Sequence, residues 1–249
     1  MFDEPKEFEL KILFKINSIE SKHAEIIFRI MGYFGHLFFW YLIVAYFGFL
    51  GLQTPHILLK VGLGLEPFII ASLVIIGLGI DGLSSNVFQF AFNRKRPFKT
   101  IDISENNFKV RSYELTPSFP SAHTHRAFFS VTLLVWGLSE WTILLYIFSC
   151  IVGISRLYLG AHYPLDVIFG GIFGISISTI YYFVSSPLIY WAATEMARIY
   201  TELNSFEMIF LGIMFFVITS ISFYFYMQFR KRYREKMKKK YEQIMKKSV

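Results

Sequence analysis

Residues 141–184 read WTILLYIFSCIVGISRLYLGAHYPLDVIFGGIFGISISTIYYFV, two apolar runs parted by a polar stretch from Ser155 to Asp166. A chain crossing a bilayer must satisfy its own backbone polar groups, which a helix of roughly 20 apolar residues does. The runs Trp141–Ile154 and Leu165–Val184 read as such helices. The stretch between them holds Arg156, His162 and Asp166, and charged groups at a membrane edge are costly enough to mark function.

The same apolar pattern recurs at Ile30–Gly51, Glu66–Phe92, His123–Leu138 and Phe206–Phe229, giving six candidate spans. His123–Leu138 and Trp141–Ile154 are short and parted only by Ser139 and Glu140, so they form a tight helical hairpin. Composition agrees: 54% of residues are hydrophobic and only 17% charged, against about 25% charged in a soluble domain. Mean hydropathy is +0.46. The reading is an all-α, polytopic membrane helix bundle of one domain over residues 1–249.

Its flanks differ from the 30–229 bundle. Residues 1–29 do not read as a cleavable signal peptide. Leu10, Leu13, Phe14, Ile16 and Ile19 fall at helical spacing among Lys and Glu, which predicts an amphipathic helix on the membrane surface. The tail 230–249 carries ten basic residues, from Arg230 to Lys247. Directly after a span, such a cluster faces anionic lipid rather than nucleic acid. Cys150 is the only cysteine, so there is no disulfide framework. No zinc-type spacing or glycine-rich nucleotide loop appears.

Three polar stretches interrupt the apolar pattern: Asn93–Phe98, Ser118–His123 and Ser155–Asp166. All lie at segment ends, and alternating helix directions bring all three to one membrane face. Arg96 and Arg156 are permanently charged forks suited to phosphate oxygens. Pro120 can open a helix, leaving the N–H groups of Ser121 and Ala122 at an anion-binding N-terminus, with the Ser121 hydroxyl beside them. His162 ends a loop, and Asp166, in the first turn of the next helix, can accept Nδ1–H and aim Nε2 at phosphorus. His123 is then the general acid for the departing alkoxide. Asp81, Ser85 and Gln89 share one helical face. Asp81 lies about 22 Å along the helix from Arg96 at ~1.5 Å per residue, so it reads as a buried contact between helices, with a polar wall of a lipid channel as the alternative.

These residues resemble the type-2 phosphatidic acid phosphatase (PAP2) superfamily, whose signatures are Lys-x6-Arg-Pro, Pro-Ser-x-(Ser)-Gly-His and Ser-Arg-x5-His-x3-Asp. The third is complete at Ser155-Arg156, His162 and Asp166. The second stands as Pro120-Ser121-Ala122-His123, with alanine for glycine. The first keeps Arg96-Pro97, but Gln89 stands where lysine is usual. The resemblance implies a membrane lipid phosphatase working through a phosphohistidine, without metal or cofactor. It makes His162 the nucleophile, Asp166 its partner and His123 the acid. Arg96, Arg156, Ser121, Ala122 and Gln89 would contact phosphate.

The implied substrate is a lipid phosphate: phosphatidate, phosphatidylglycerophosphate, a polyprenyl diphosphate or lipid A. A lipid phosphotransferase using the same chemistry is the alternative, followed by a non-catalytic lipid transporter or binding protein. The implied location is the cell (inner) membrane, multi-pass. Of 25 Lys and Arg, only Lys60 and Arg198 fall on the face opposite the motifs. The positive-inside rule taken alone turns the site toward the cytoplasm, whereas the resemblance implies a site facing the periplasm or lumen, as in many members of the superfamily; the sequence leaves both open.

Overall fold

The computed structural model describes residues 5–53, 67–101, 108–114 and 116–202, with isolated helical positions between 207 and 235. Among the described residues all regular structure is helical: α1 (Glu7–Asn17), α2 (Lys22–Phe34), α3 (Leu37–Gln53), α4 (Pro67–Phe92), α5 (Ala122–Val135), α6 (Thr142–Tyr158) and α7 (Pro164–Glu202). Short 3-10 turns stand at Pro97–Lys99 and Ser139–Trp141. The second turn closes the α5–α6 hairpin expected from Ser139 and Glu140.

Local chemistry sets the helix starts. Ser121 caps α5 and its hydroxyl accepts from Thr124, relieving donors that a helix N-terminus leaves unpaired. Pro164 opens α7 and Asp166 lies in its first turn, where a carboxylate complements the helix dipole. His162 lies in the loop before α7, as the sequence predicts.

The main core joins Trp40 and Phe47 of α3, Leu73 and Leu78 of α4, Phe129 and Leu133 of α5, and Tyr181 of α7. Two glycines let α7 lie against α5. A Cβ on Gly170 would stand 2.9 Å from the Ser121 carbonyl oxygen, and one on Gly174 only 2.5 Å from that of His125. Small residues at such a crossing let two backbones meet. Here they bring the start of α7 to the start of α5. Outward positions such as Leu83, Phe90, Ile143 and Val184 are apolar and exposed, as a lipid-facing surface requires.

Asp81, Ser85 and Gln89 are all buried. Asp81 accepts from Arg126 Nε and pairs with His125 Nδ1, both at 2.7 Å. Arg126 also donates to the Gly35 carbonyl at 3.0 Å. Asp81 thus ties α4 to α5, and through Arg126 to the break between α2 and α3.

Three sequence expectations change. Among the described residues, three helices are long and apolar enough to cross a membrane: Ile69–Lys99, Ser139–Tyr158 and Pro164–Ala192. A fourth is available if α2 and α3, bent by 63° at their break, count as one span. The expected span His123–Leu138 is the 14-residue α5, about 21 Å long at 1.5 Å per residue and too short for a hydrocarbon core of about 30 Å. The expected Phe206–Phe229 span and the basic tail lie largely outside the described residues.

The third change is at the N-terminus. The single amphipathic helix expected near 8–29 is two helices, and α1 turns Glu9, Leu13 and Asn17 into the protein. Leu13 packs with Phe108, Leu157 and Tyr163, and Asn17 donates to the carbonyls of Lys109 and Tyr158. Its inward face is therefore a protein contact.

The chain divides into two compact units, 1–197 and 198–249. In the second, Phe210, Met214, Val217, Ile221 and Tyr224 are helical and exposed at a three- to four-residue spacing.

Candidate active site

The ends of α4, α5, α6 and α7 meet around a pocket that draws together residues far apart in sequence. Arg96 follows α4 and is fully buried. It donates to the carbonyls of Thr116 (2.7 Å), Pro117 (3.2 Å) and Ala161 (3.0 Å) and to the Thr116 hydroxyl (3.0 Å). These bonds fix the plane of the guanidinium. Its remaining partners are His162 Nε2 at 3.0 Å and the Glu114 carboxylate at 2.8 Å.

Arg156, in the last turn of α6, donates to the other Glu114 oxygen. Its Nε is buried and has no hydrogen-bond partner among the described residues. Two guanidinium groups therefore close on one carboxylate, and that carboxylate lies 3.7 Å from both His162 Nε2 and His123 Nδ1. Burial pushes the Glu114 carboxyl up, but Arg96 and Arg156 override that and hold it well below the usual carboxylate range. Glu114 is thus an anion seated in a strongly cationic site. Glu114 carries no signal in the sequence, because nothing around an acidic residue in an irregular segment marks it.

The imidazole of His162 is oriented by main chain. Its Nδ1 is 2.8 Å from the Ser118 carbonyl oxygen. A carbonyl only accepts, so Nδ1 carries the proton and Nε2 presents a lone pair to the pocket. The direct bond from Asp166 expected from the sequence is not formed: the nearest carboxylate oxygen is 3.6 Å from Nδ1, beyond hydrogen-bond reach. Asp166 accepts instead from the Ser118 hydroxyl, from Tyr163 N–H at 2.8 Å and from Arg94 Nη1 at 2.7 Å. It supports the histidine through Ser118. Arg94 is buried and lies over the Tyr163 ring at 4.4 Å.

His123, in the first turn of α5, is buried with neither ring nitrogen hydrogen-bonded among the described residues. Its ring meets that of His36 edge to face at 4.7 Å. The break between α2 and α3 presses on it: a Cβ on Gly35 would stand 2.7 Å from the His123 Cβ. That contact sets where the His123 ring can lie.

The remaining expected contacts are placed differently. The Ser121 N–H donates to the Asp166 carbonyl at 2.9 Å, so it is not a free anion donor. Its hydroxyl faces Thr124. Ala122 opens α5 and is half-buried. Gln89 Nε2 donates to the Pro120 carbonyl at 3.1 Å and thereby steadies the turn that begins α5. The pocket as built holds its anion without Gln89.

Residues 68–190 match the family model described as the PAP2 superfamily. The chain belongs to that superfamily. It is similar to the Bacitracin transport permease protein BcrC of Bacillus licheniformis, 34% identical over 115 residues, 45% of this chain and 50% of that protein. The chain thus spans half the length of that curated relative. Its fold resembles that of Aquifex aeolicus LpxE, with a TM-score of 0.59, 20% identity, and coverage of 73% of this chain and 98% of that one. It also resembles a transmembrane PAP2-type phosphatidylglycerolphosphate phosphatase from Bacillus subtilis, with a TM-score of 0.55, 20% identity, and coverage of 72% and 85%.

Proposed function

We propose that the chain hydrolyses the phosphomonoester or diphosphate of a lipid of the cell membrane through a phosphohistidine on His162. One observation carries the reading: a carboxylate held by Arg96 and Arg156 stands 3.7 Å from the unprotonated Nε2 of His162. A phosphoryl group has the same need for forked cationic donors, so the site Glu114 fills is one that a phosphate can take. The unpaired Nε of Arg156 and both unpaired nitrogens of His123 are donors and acceptors that a bound phosphate ester would engage.

In the first step the phosphate displaces Glu114 and takes the guanidinium of Arg96 from Nε2. The Nε2 lone pair forms a bond to phosphorus as the bond to the lipid oxygen breaks. His123 gives that oxygen its proton. The imidazole, now cationic, keeps Nδ1–H on the Ser118 carbonyl, with the Asp166 carboxylate nearby to balance the charge. In the second step water attacks phosphorus, His123 takes its proton, and the P–N bond electrons return to Nε2. Arg96 and Arg156 neutralise the phosphoryl oxygens throughout. With that cationic charge supplied by side chains, the reading requires no metal.

The substrate class is drawn from phosphatidate, phosphatidylglycerophosphate, polyprenyl diphosphate and lipid A. Phosphate release from each by the purified protein, with and without chelator, tests it. Release unaffected by chelator and abolished in His162→Ala supports the reading, and release that survives His162→Ala contradicts it. A phosphotransferase would need the same residues, and a chase of labelled phosphate with an alcohol acceptor separates the two. The name of the BcrC relative speaks of transport, but a carrier has no need of a base-ready Nε2 against an anion pocket.

A further inference from the structure

We propose that Glu9, on the N-terminal helix, is a positioning residue for His162, acting through Arg94, Asp166 and Ser118. The inference rests on the phosphohistidine reading for its consequence, but its geometry stands alone.

Glu9, Arg94 and Asp166 form a buried row in which each side chain is at most 1% exposed. Arg94 gives Nη2 to Glu9 at 2.8 Å and Nη1 to Asp166 at 2.7 Å. The second Glu9 oxygen accepts from Leu165 N–H at 3.3 Å, in the first turn of α7 beside Asp166. Ser118 is gripped twice by the same row: its N–H donates to the Arg94 carbonyl at 2.7 Å, and its hydroxyl to Asp166 Oδ2. The Ser118 carbonyl then holds His162 Nδ1 at 2.8 Å. Among the described residues no carboxylate bonds the histidine directly, so once phosphate draws Arg96 away from Nε2 the tautomer depends on where Ser118 stands.

Glu9 keeps the guanidinium divided. A guanidinium facing a single carboxylate prefers to bind both its oxygens with both forks. With Glu9 present, Nη2 is engaged elsewhere, and Asp166 Oδ2 is left for Ser118 and the Tyr163 N–H. Without the Glu9 charge, Arg94 closes on both Asp166 oxygens and displaces the Ser118 hydroxyl. The Ser118 carbonyl is then free to turn, and Nδ1 loses the acceptor that fixes its proton. The predicted consequence is a mixed tautomer with the reactive lone pair on the wrong nitrogen part of the time.

The test uses the full chain in detergent with 15N-labelled histidine and saturating inorganic phosphate, which draws Arg96 from Nε2. In the wild type the His162 signals, assigned by their loss in His162→Ala, report one Nδ1-protonated ring. Glu9→Gln gives a mixture of tautomers. On dioctanoyl phosphatidate and farnesyl diphosphate its kcat falls by about 10- to 100-fold, the usual cost of losing an outer partner, with KM changed less than about threefold. Glu9→Asp, which keeps the charge, restores most of the rate. Ser118→Ala gives the same mixture, and adding Glu9→Gln to it costs nothing further, since both break one chain.

A Glu9→Gln protein with a single Nδ1–H tautomer and wild-type kcat overturns the proposal, as do losses that multiply in the double variant. If Glu9→Gln does not fold, Ser118→Ala decides: an unchanged tautomer overturns the proposal. His162→Ala separates the two readings. Release surviving in it sinks the phosphohistidine, whereas its loss beside an unaffected Glu9→Gln sinks only the role given to Glu9.

Discussion

Glu114 is the residue whose removal changes the pocket most simply. Glu114→Gln leaves Arg96 and Arg156 without their shared anion, so inorganic phosphate should bind more tightly. The expected result is about a tenfold lower inhibition constant for phosphate, equivalent to about 1.4 kcal/mol, measured by competition against lipid phosphate. The pH dependence of stability follows from the same contact. A carboxyl whose folded value lies below its ordinary 4.5 contributes stability present in full above that value and lost as pH falls through the lowered one. The difference in thermal midpoint between wild type and Glu114→Gln should be constant from pH 7 to about pH 5 and shrink below about pH 4.5. At this scale the candidate site was legible where it was local. Ser155-Arg156, His162 and Asp166 sit in one short run, so their spacing alone suggested a nucleophile and its support. Glu9, Arg94 and Glu114 were not legible, because their partners lie far away in sequence (Glu9 to Arg94 is 85 residues) and only tertiary closure gives them a role.

At the scale of elements, two close approaches hold the machinery in place. Gly35 at the α2–α3 break has no room for a Cβ against His123. Gly35→Ala should shift that ring, cost about 1–3 kcal/mol of stability as overpacking does, and lower kcat more than it raises KM. Thermal denaturation and steady-state kinetics on one preparation check both. Asp81 is the second hold. Asp81→Asn leaves the partly buried Arg126 without its carboxylate and should cost about 3 kcal/mol or less, read as a lowered thermal midpoint. The polar face Asp81, Ser85, Gln89 was legible because it interrupts a uniformly apolar run. The equivalent face of α1, Glu9, Leu13 and Asn17, has the same spacing but lies among many charged residues. There the apolar positions dominated the pattern, and one membrane-surface helix was read where two helices stand, the first with one face packed on the protein. Likewise, α5 was counted as a span because composition does not reveal that a helix stops at 14 residues.

For the whole molecule, the helix ends that carry Arg96, His123, Arg156 and His162 converge as alternating helix directions require, and the family comparison agrees with the motifs. The bundle class was legible from hydropathy because backbone satisfaction in lipid leaves few alternatives. The number of crossings was not, since short and bent helices depart from one-run-one-span counting. The positive-inside rule, applied to charge alone, predicts a site on the cytoplasmic side. In a Cys150→Ser background, Lys95→Cys, an exposed position beside the site, should react with an impermeant maleimide only after the cell is opened. Labelling in intact cells would reverse the orientation and favour a substrate presented on the outer leaflet.

The account turns on His162 as the nucleophile, and trapping the covalent intermediate tests it most directly. Protein mixed with phosphate-labelled lipid substrate is quenched in alkali within milliseconds and analysed by peptide mass spectrometry. The account predicts an acid-labile, alkali-stable phosphoryl group on the peptide containing His162, chased by water and absent in His162→Ala. A wild-type enzyme that turns over with no such intermediate at any quench time, or with the label on another residue, would contradict it.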